Sequence, residues 1–102
     1  PRKSYIRFIH LSPNTPAIDI TLPNGEVLFK NISFEKSSDY ISISQGTYTL
    51  QARPTGTSKI ILNVPNVRIR PNRILTVYAV GLLDKKPPLQ VVIPLDGSSY
   101  ID

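Results

Sequence analysis

Apolar and polar residues alternate over short stretches of this chain, and that alternation is its main structural signal. In the segment 47–53, Tyr48, Leu50 and Ala52 alternate with polar residues. A period of two places successive side chains on opposite faces of a strand, so the segment predicts a half-buried β-strand. Similar apolar stretches predict further strands at 5–11, 17–22, 26–32, 39–43, 59–64 continuing at 67–70, 74–82 and 89–93.

Proline and glycine separate these stretches at intervals too short for long helices. Asn24-Gly25 predicts a hairpin, because both residues tolerate positive φ. Pro65 interrupts one stretch and cannot donate to a strand ladder, so that stretch is expected at a sheet edge or a bulge. The stretch 74–82 is apolar on both faces and is expected to lie centrally in its sheet.

Several short strands in 102 residues, with frequent turn signals, are typical of a β-sandwich. The alternation also favours antiparallel sheets that each keep one dry and one wet face. We therefore predict an all-β fold, an antiparallel β-sandwich of seven to eight strands. The domain is expected over residues 5–93, between an N-terminal tail at 1–4 and a C-terminal tail at 94–102.

Composition excludes several classes of function. The chain has no Cys, which excludes disulfides, thiolate metal sites and a cysteine nucleophile. No apolar run reaches the roughly 20 residues of a membrane helix, so no membrane span is predicted. The sequence has no Gly-rich phosphate loop and no pair of acids suited to glycoside hydrolysis. We expect neither an enzyme nor a cofactor.

Twelve Lys and Arg against seven Asp and Glu give a net charge of +5, which favours polyanionic partners. A predicted basic stripe consists of Arg53, Lys59, Arg68, Arg70 and Arg73. It is a candidate site for acidic glycan, cell-wall polymer or nucleic acid, and the alternative is an edge strand protected by charges. Nucleic acid is the least expected of these partners, because Tyr48 is predicted to point inward and offers no stacking surface.

Three residues near the first predicted turn, His10, Ser12 and Asp19, have the residue types of a nucleophile–base–acid triad. The simpler interpretation is structural: Ser12 and Asp19 hold backbone N–H groups of the loop 13–16, and His10 bridges them. Prolines in that loop remove the donors that an oxyanion hole needs, so we predict a structural turn network. With a single His in the chain and no useful ligand spacing, no metal site is predicted.

The segment 8–19, Phe-Ile-His-Leu-Ser-Pro-Asn-Thr-Pro-Ala-Ile-Asp, contains the pattern His-x-Ser-Pro-x-x-Pro-x-x-Asp after an aromatic-containing strand. It resembles the opening motif of the bacterial domain-of-unknown-function 4397 family, and 38–40, 46–50 and 75–81 match later blocks in order. The resemblance implies an immunoglobulin-like or transthyretin-like sandwich, usually on secreted and surface proteins, with no established activity. We expect an extracellular or cell-surface location. Because no secretory signal opens the chain, a spore surface or another non-secreted location is the alternative.

The predicted function is that of a non-catalytic surface or structural module that contacts copies of itself or other surface proteins. The edge strand at Pro65 and the extended ends motivate self-association, and Tyr100 with Ile101 is expected to add to the sheet edge of a neighbour. A head-to-tail contact of that kind builds filaments or arrays. The alternative is an anionic-polymer-binding domain that uses the basic stripe.

Overall fold

Two four-stranded sheets form the computed structural model, which describes residues 3–94. The strands in chain order are β1 (Lys3–His10), β2 (Ile18–Thr21), β3 (Val27–Ile32), β4 (Ile41–Ser44), β5 (Gly46–Pro54), β6 (Leu62–Ile69), β7 (Ile74–Val80) and β8 (Gln90–Val92). The first sheet has the order β4-β1-β7-β8, and the second has the order β3-β2-β5-β6. Residues 3–94 contain no helix, so the fold is all-β and sandwich-like, as the alternation predicts.

The core lies between the two sheets and is built from alternate residues of their strands. Ile6 and Phe8 of β1 are buried, as are Leu50 and Ala52 of β5. Phe8 of the first sheet stacks on Phe29 of the second, with ring centroids 6.0 Å apart. Burying a large apolar side chain contributes about 1.5–3 kcal/mol, so this shared layer is the main source of stability.

One pairing differs from the predicted antiparallel sandwich. β1 and β7 run parallel, from the pair Tyr5–Ile74 to the pair His10–Ala79, while the other ladders between named strands are antiparallel. Alternation along a strand fixes which side chains are buried but carries no information on the direction of the neighbouring strand. The prediction of a purely antiparallel sandwich is therefore wrong, and the first sheet is mixed.

β6 lies at the edge of the second sheet and carries Pro65, as predicted. Its register with β5 shifts between Tyr48 and Leu50, where β6 contains one extra residue. Asn66 lies in this β-bulge and has a positive φ of 61°. After the bulge the alternation resumes, so Arg68 is exposed between two buried neighbours.

The predicted hairpin joins β2 to β3. The carbonyl of Leu22 accepts a hydrogen bond from Gly25 N–H at 2.9 Å, and Leu22 N–H donates to the Glu26 carbonyl at 2.8 Å. Of the Asn24-Gly25 pair, only Gly25 takes a positive φ, of 93°. Pro23 precedes Asn24 with its φ fixed at a negative value, which suits a type I turn followed by a left-handed glycine.

β1 begins at Lys3, inside the segment 1–4 that is predicted to be a tail. Ser4 is fully buried, and its hydroxyl donates to the Arg70 carbonyl and accepts from Arg73 N–H at 2.9 Å. Tyr5 N–H donates to the Arg73 carbonyl at 2.9 Å. These bonds hold the connection between β6 and β7 against the start of β1. The predicted tail is therefore wrong at Lys3 and Ser4.

Candidate functional site

His10 lies in a buried hydrogen-bond network where β1 ends. Its side chain is fully buried, Nδ1 accepts the N–H of Ser12 at 3.1 Å, and Nε2 lies 3.1 Å from the carbonyl oxygens of both Thr15 and Pro16. Because Nδ1 accepts and Nε2 faces two acceptors, this pattern assigns the ring proton to Nε2. His10 thereby closes the loop 11–17 through backbone groups.

Ser12 ties the same loop to the end of β7. Its hydroxyl donates to the Gly81 carbonyl at 2.8 Å and lies 2.6 Å from Thr15 Oγ1. Gly81 has a φ of 84°, and a Cβ there would lie 2.1 Å from the Pro88 carbonyl oxygen, so only glycine fits. The His10 nitrogen that faces Ser12 is occupied by the backbone N–H, and the Ser12 hydroxyl is directed at Gly81.

Asp19 belongs to a different network. Its Oδ1 accepts the N–H of Asn31 at 2.8 Å and the hydroxyl of Thr55 at 2.9 Å. Asp19 lies between two buried isoleucines of β2, so the alternation turns it to the outer face of the second sheet, whereas His10 faces the core. The prediction that Asp19 joins the network of His10 and Ser12 is therefore wrong.

The structure divides the predicted basic stripe between two ends of the second sheet. Arg53 lies near the end of β5, where its Nε donates to Thr21 Oγ1 at 3.1 Å and its Nη2 donates to Gln51 Oε1 at 3.0 Å. Lys59 is exposed in the loop that follows β5. Arg53 therefore binds side chains of its own sheet rather than standing free beside Lys59.

The other basic residues of the stripe lie near the opposite end of β5. Arg68 pairs with Thr47, which is six residues before Arg53, or about 20 Å along the strand. Arg70 follows β6 and is exposed, and Arg73 lies in the connection to β7, where its Nη1 donates to the Pro71 carbonyl at 3.1 Å. The five residues of the stripe do not form one surface.

Arg68 and Arg70 line an open groove of about 400 Å³, which we call the arginine groove. Its other lining residues come from the start of β5 and the end of β6, and they are Gln45, Gly46, Thr47, Ile69 and Pro71. Every charged residue of this lining is an arginine. The groove is therefore lined by two arginines together with the polar residues Gln45 and Thr47.

A second surface lies on the outer side of the first sheet, and no single segment of the sequence predicts it. Tyr5, Tyr40, Ile74 and Val92 are exposed by 46%, 45%, 37% and 41%, and Tyr78 is half-buried. We call these five residues the tyrosine face. Their large apolar and aromatic side chains lie on a sheet whose other side packs on the core.

Register explains how the tyrosine face comes together. Tyr5 pairs with Ile74 across β1 and β7, and Tyr78 pairs with Val92 across β7 and β8. Between them, the Arg7 guanidinium stacks over the Tyr40 ring at 5.1 Å, and Arg7 Nε donates to Thr76 Oγ1 at 3.0 Å.

One sequence signal pointed to this face. The stretch 74–82 is apolar on both sides, which predicts a central strand, and β7 is indeed flanked by two strands. The same pattern gives β7 an apolar outer side, on which Ile74 remains exposed.

Three further predictions concern metals, membranes and the C-terminal tail. Among residues 3–94, no group of three or more His, Cys, Asp or Glu side chains is placed to hold a metal ion. Over the same residues, no helix has the length and apolar character needed to cross a membrane. Tyr100 and Ile101, the predicted self-association pair, lie outside the described residues.

Comparison with known proteins identifies a family and a fold. The family described as domain of unknown function, DUF4397, matches residues 4–98 and confirms the resemblance of the motifs. A solved structure of the C-terminal domain of AlgF from P. aeruginosa is similar with a TM-score of 0.66 and 16% sequence identity, covering 91% of this chain and 97% of that domain. At that identity the likeness shows the fold alone. Curated protein sequences give no match to the chain.

Proposed function

This chain belongs to the domain-of-unknown-function 4397 family, and we propose that it is a non-catalytic module that acts through protein contacts made by the tyrosine face. The partner in this proposal is a second copy of the chain. The proposed setting is the outer surface of a cell, with a spore surface as the alternative. The proposed sandwich type is immunoglobulin-like or transthyretin-like.

The exposed tyrosines are the observation that carries the proposal. Tyrosine is enriched at protein interfaces, because its ring offers a large apolar area with few rotatable bonds and its hydroxyl tolerates water. Tyr5 and Tyr78 lie on the neighbouring strands β1 and β7, whose hydrogen-bonded register sets their relative positions. Arg7 is already held by Tyr40 and Thr76, so a partner need not supply a carboxylate for it.

The size of the face sets the expected strength of the contact. The strands β1, β4, β7 and β8 contain 8, 4, 7 and 3 residues, 22 in all, and at about 3.3 Å per residue and about 4.8 Å between strands they give a surface of roughly 350 Å². Two such faces in contact bury about 700 Å², which is less than the roughly 1,200–2,000 Å² of stable protein complexes. We therefore expect weak, concentration-dependent association.

Growth beyond a pair needs a second contact. Two copies joined through the same face are related by a two-fold axis, and that contact closes at the dimer. The sequence favours self-association at the edge strand that carries Pro65, but the bulge and the proline of β6 discourage strand pairing there, as do the only three residues of β8. In this proposal, Tyr100 and Ile101 provide the second contact, which would link dimers into filaments or arrays.

The geometry of His10 and Ser12 supports the non-catalytic part of the proposal. A general base needs a free nitrogen within reach of the nucleophile. In His10 that nitrogen accepts the Ser12 backbone N–H, and both side chains are fully buried.

Sedimentation velocity over a concentration series tests the proposed self-contact. We expect the wild-type chain to dimerise more strongly as salt is added, because each copy carries a net charge of +5 and salt screens the repulsion. The double variant Tyr5→Ser/Tyr78→Ser should weaken the dimer at least about tenfold. The matched control is Gln51→Ser/Asn63→Ser, which changes two outward residues of the second sheet. A wild-type chain that stays monomeric throughout, or a control that weakens the dimer equally, would rule the proposal out.

A further inference from the structure

The arginine groove is separate from the tyrosine face and carries an inference of its own. We infer that it binds the carboxylate or sulfate groups of an acidic glycan. This binding is independent of self-association, because the groove lies between the start of β5 and the end of β6, in the second sheet.

The two arginines are placed to act on the same ligand. Arg68 and Arg70 are two residues apart in an extended segment, so their Cα atoms are about 7 Å apart and their side chains leave on the same side. A guanidinium group presents a planar fork of donors that matches the two oxygens of a carboxylate or sulfate. Successive acidic groups of a polymer can therefore each meet one arginine.

Both guanidinium groups are available to a ligand. Arg53, on the outer face of the same sheet, uses its donors on Thr21 and Gln51. Within residues 3–94, by contrast, the side chains of Arg68 and Arg70 have no hydrogen-bond or ion-pair partner. Both guanidinium groups therefore face solvent and can bind an anion without first breaking a bond within the described part of the protein.

The opposite wall of the groove is held in place. Gly46 and Ile69, which both line the groove, pair across the ladder between β5 and β6. The Tyr48 hydroxyl donates to the Ser44 carbonyl at 2.7 Å, and the Tyr48 ring lies 3.5 Å from the position of a Cβ on Gly46. These contacts of Tyr48 hold the turn that contains Gln45. A preformed site loses less conformational entropy on binding than a flexible one.

The Arg70 side of the groove is also anchored, by the buried Ser4 hydroxyl that holds the Arg70 carbonyl. Lys3, next to Ser4, is exposed and pairs with Ser44, so it adds positive charge at the same end of the sandwich.

The lining favours a glycan over a nucleic acid. Proteins that bind single-stranded nucleic acid combine basic side chains with aromatic rings on which bases stack. The groove is lined by two arginines, small residues, Gln45 and one isoleucine, without an aromatic ring among them. The chemistry present recognises acidic groups and the hydroxyls around them, which an acidic glycan supplies.

Titration with heparin (sulfated) and with polygalacturonate (carboxylated) tests the inference, followed by amide NMR shifts and by calorimetry. We expect shifts concentrated at residues 45–47 and 68–71, and affinity that falls as salt rises. The variant Arg68→Ser/Arg70→Ser should lose at least about tenfold in affinity. The matched control is Arg53→Ser/Lys59→Ser, which removes the same net charge from elsewhere and should stay within about threefold of wild type.

Three outcomes would overturn the inference. Equal weakening by the two double variants would mean that net charge alone attracts the glycan. Absence of binding to both glycans at low salt would mean that the groove has no such ligand. Tighter binding of a single-stranded oligonucleotide than of either glycan would assign the groove to nucleic acid. Circular dichroism of both variants checks that the fold is intact in each case.

Discussion

The outer faces of the two sheets differ, although both sheets bury the same kind of inner face. On the second sheet, outward polar side chains bond to one another: Arg53 donates to Thr21 and Gln51, and the Gln51 amide donates to Asn63 at 2.9 Å. On the first sheet, the corresponding outward positions hold the tyrosine face, and Arg7, which lies among its residues, is bonded to Thr76 and stacked on Tyr40.

This contrast shows that the residues that stabilise the fold differ from the residues that are available to a binding partner. A surface whose polar groups satisfy each other offers little to a partner, because binding would have to replace bonds already made. A surface of tyrosine and aliphatic side chains offers area that a partner can cover at small cost. The outward-facing side chains of each strand therefore determine which partners the module can bind, and the inward-facing side chains determine whether it folds.

The largest expected effect comes from breaking the layer that both sheets share. Phe8→Ala removes the ring that stacks on Phe29, and it should lower the free energy of unfolding by about 3–5 kcal/mol. Urea denaturation followed by circular dichroism measures this loss. The control is Ile9→Ala, at the neighbouring half-buried position on the other side of β1, which should cost clearly less. Equal losses would mean that the two sides of β1 contribute alike.

An intermediate effect is expected on the second sheet alone. Asp19→Ala leaves the Asn31 N–H and the Thr55 hydroxyl without their acceptor, at a cost of about 1–3 kcal/mol. Chemical denaturation measures it, and Asp19→Asn, which keeps an acceptor oxygen, should lose less. If the alanine variant were as stable as wild type, these two hydrogen bonds would not be what holds β3 and the turn after β5 to β2.

The smallest expected effect concerns Arg7, which lies among the residues of the tyrosine face. Arg7→Ala removes the stacking on Tyr40 and the bond to Thr76, and it should cost about 1 kcal/mol. A thermal melt measures the change. Arg53→Ala should lower the free energy of unfolding by a similar amount. It should leave dimerisation, measured by sedimentation, unchanged, because Arg53 lies on the opposite sheet. Altered sedimentation of the Arg53 variant would mean that the outer face of the second sheet also takes part in self-association.

Alternation predicts the strands and their buried sides well, because it reflects a local property of each strand. The segment around Leu50 is an example, and the edge position of Pro65 follows from its missing N–H, which is likewise a local property. The direction of β7 relative to β1 depends on how distant strands meet, which no local pattern records. The early start of β1 depends on the Ser4 hydroxyl finding backbone groups of the turn 70–73, and these are equally distant in sequence.

The candidate sites likewise divide into features of a single strand, which the sequence predicts, and features made by strands distant in sequence, which it does not. Arg68 and Arg70 are two residues apart in the sequence and line the same groove, because residues so close in one strand stay close in space. Arg53 is separated from them by most of the length of β5, and its donors are used by its own sheet. The tyrosine face draws on β1, β7, β8 and the segment before β4, so it becomes visible only once their register is known.

The parallel pairing of β1 with β7 also dictates an order of events while the chain is being made. Arg7 and Thr76, which meet across that ladder, are 69 positions apart. All four strands of the second sheet have been synthesised once Ile69 is in place, whereas β1 must wait for β7 before its parallel neighbour exists. On a ribosome, the sheet that carries the arginine groove is therefore the one that can close first, and the tyrosine face is assembled last.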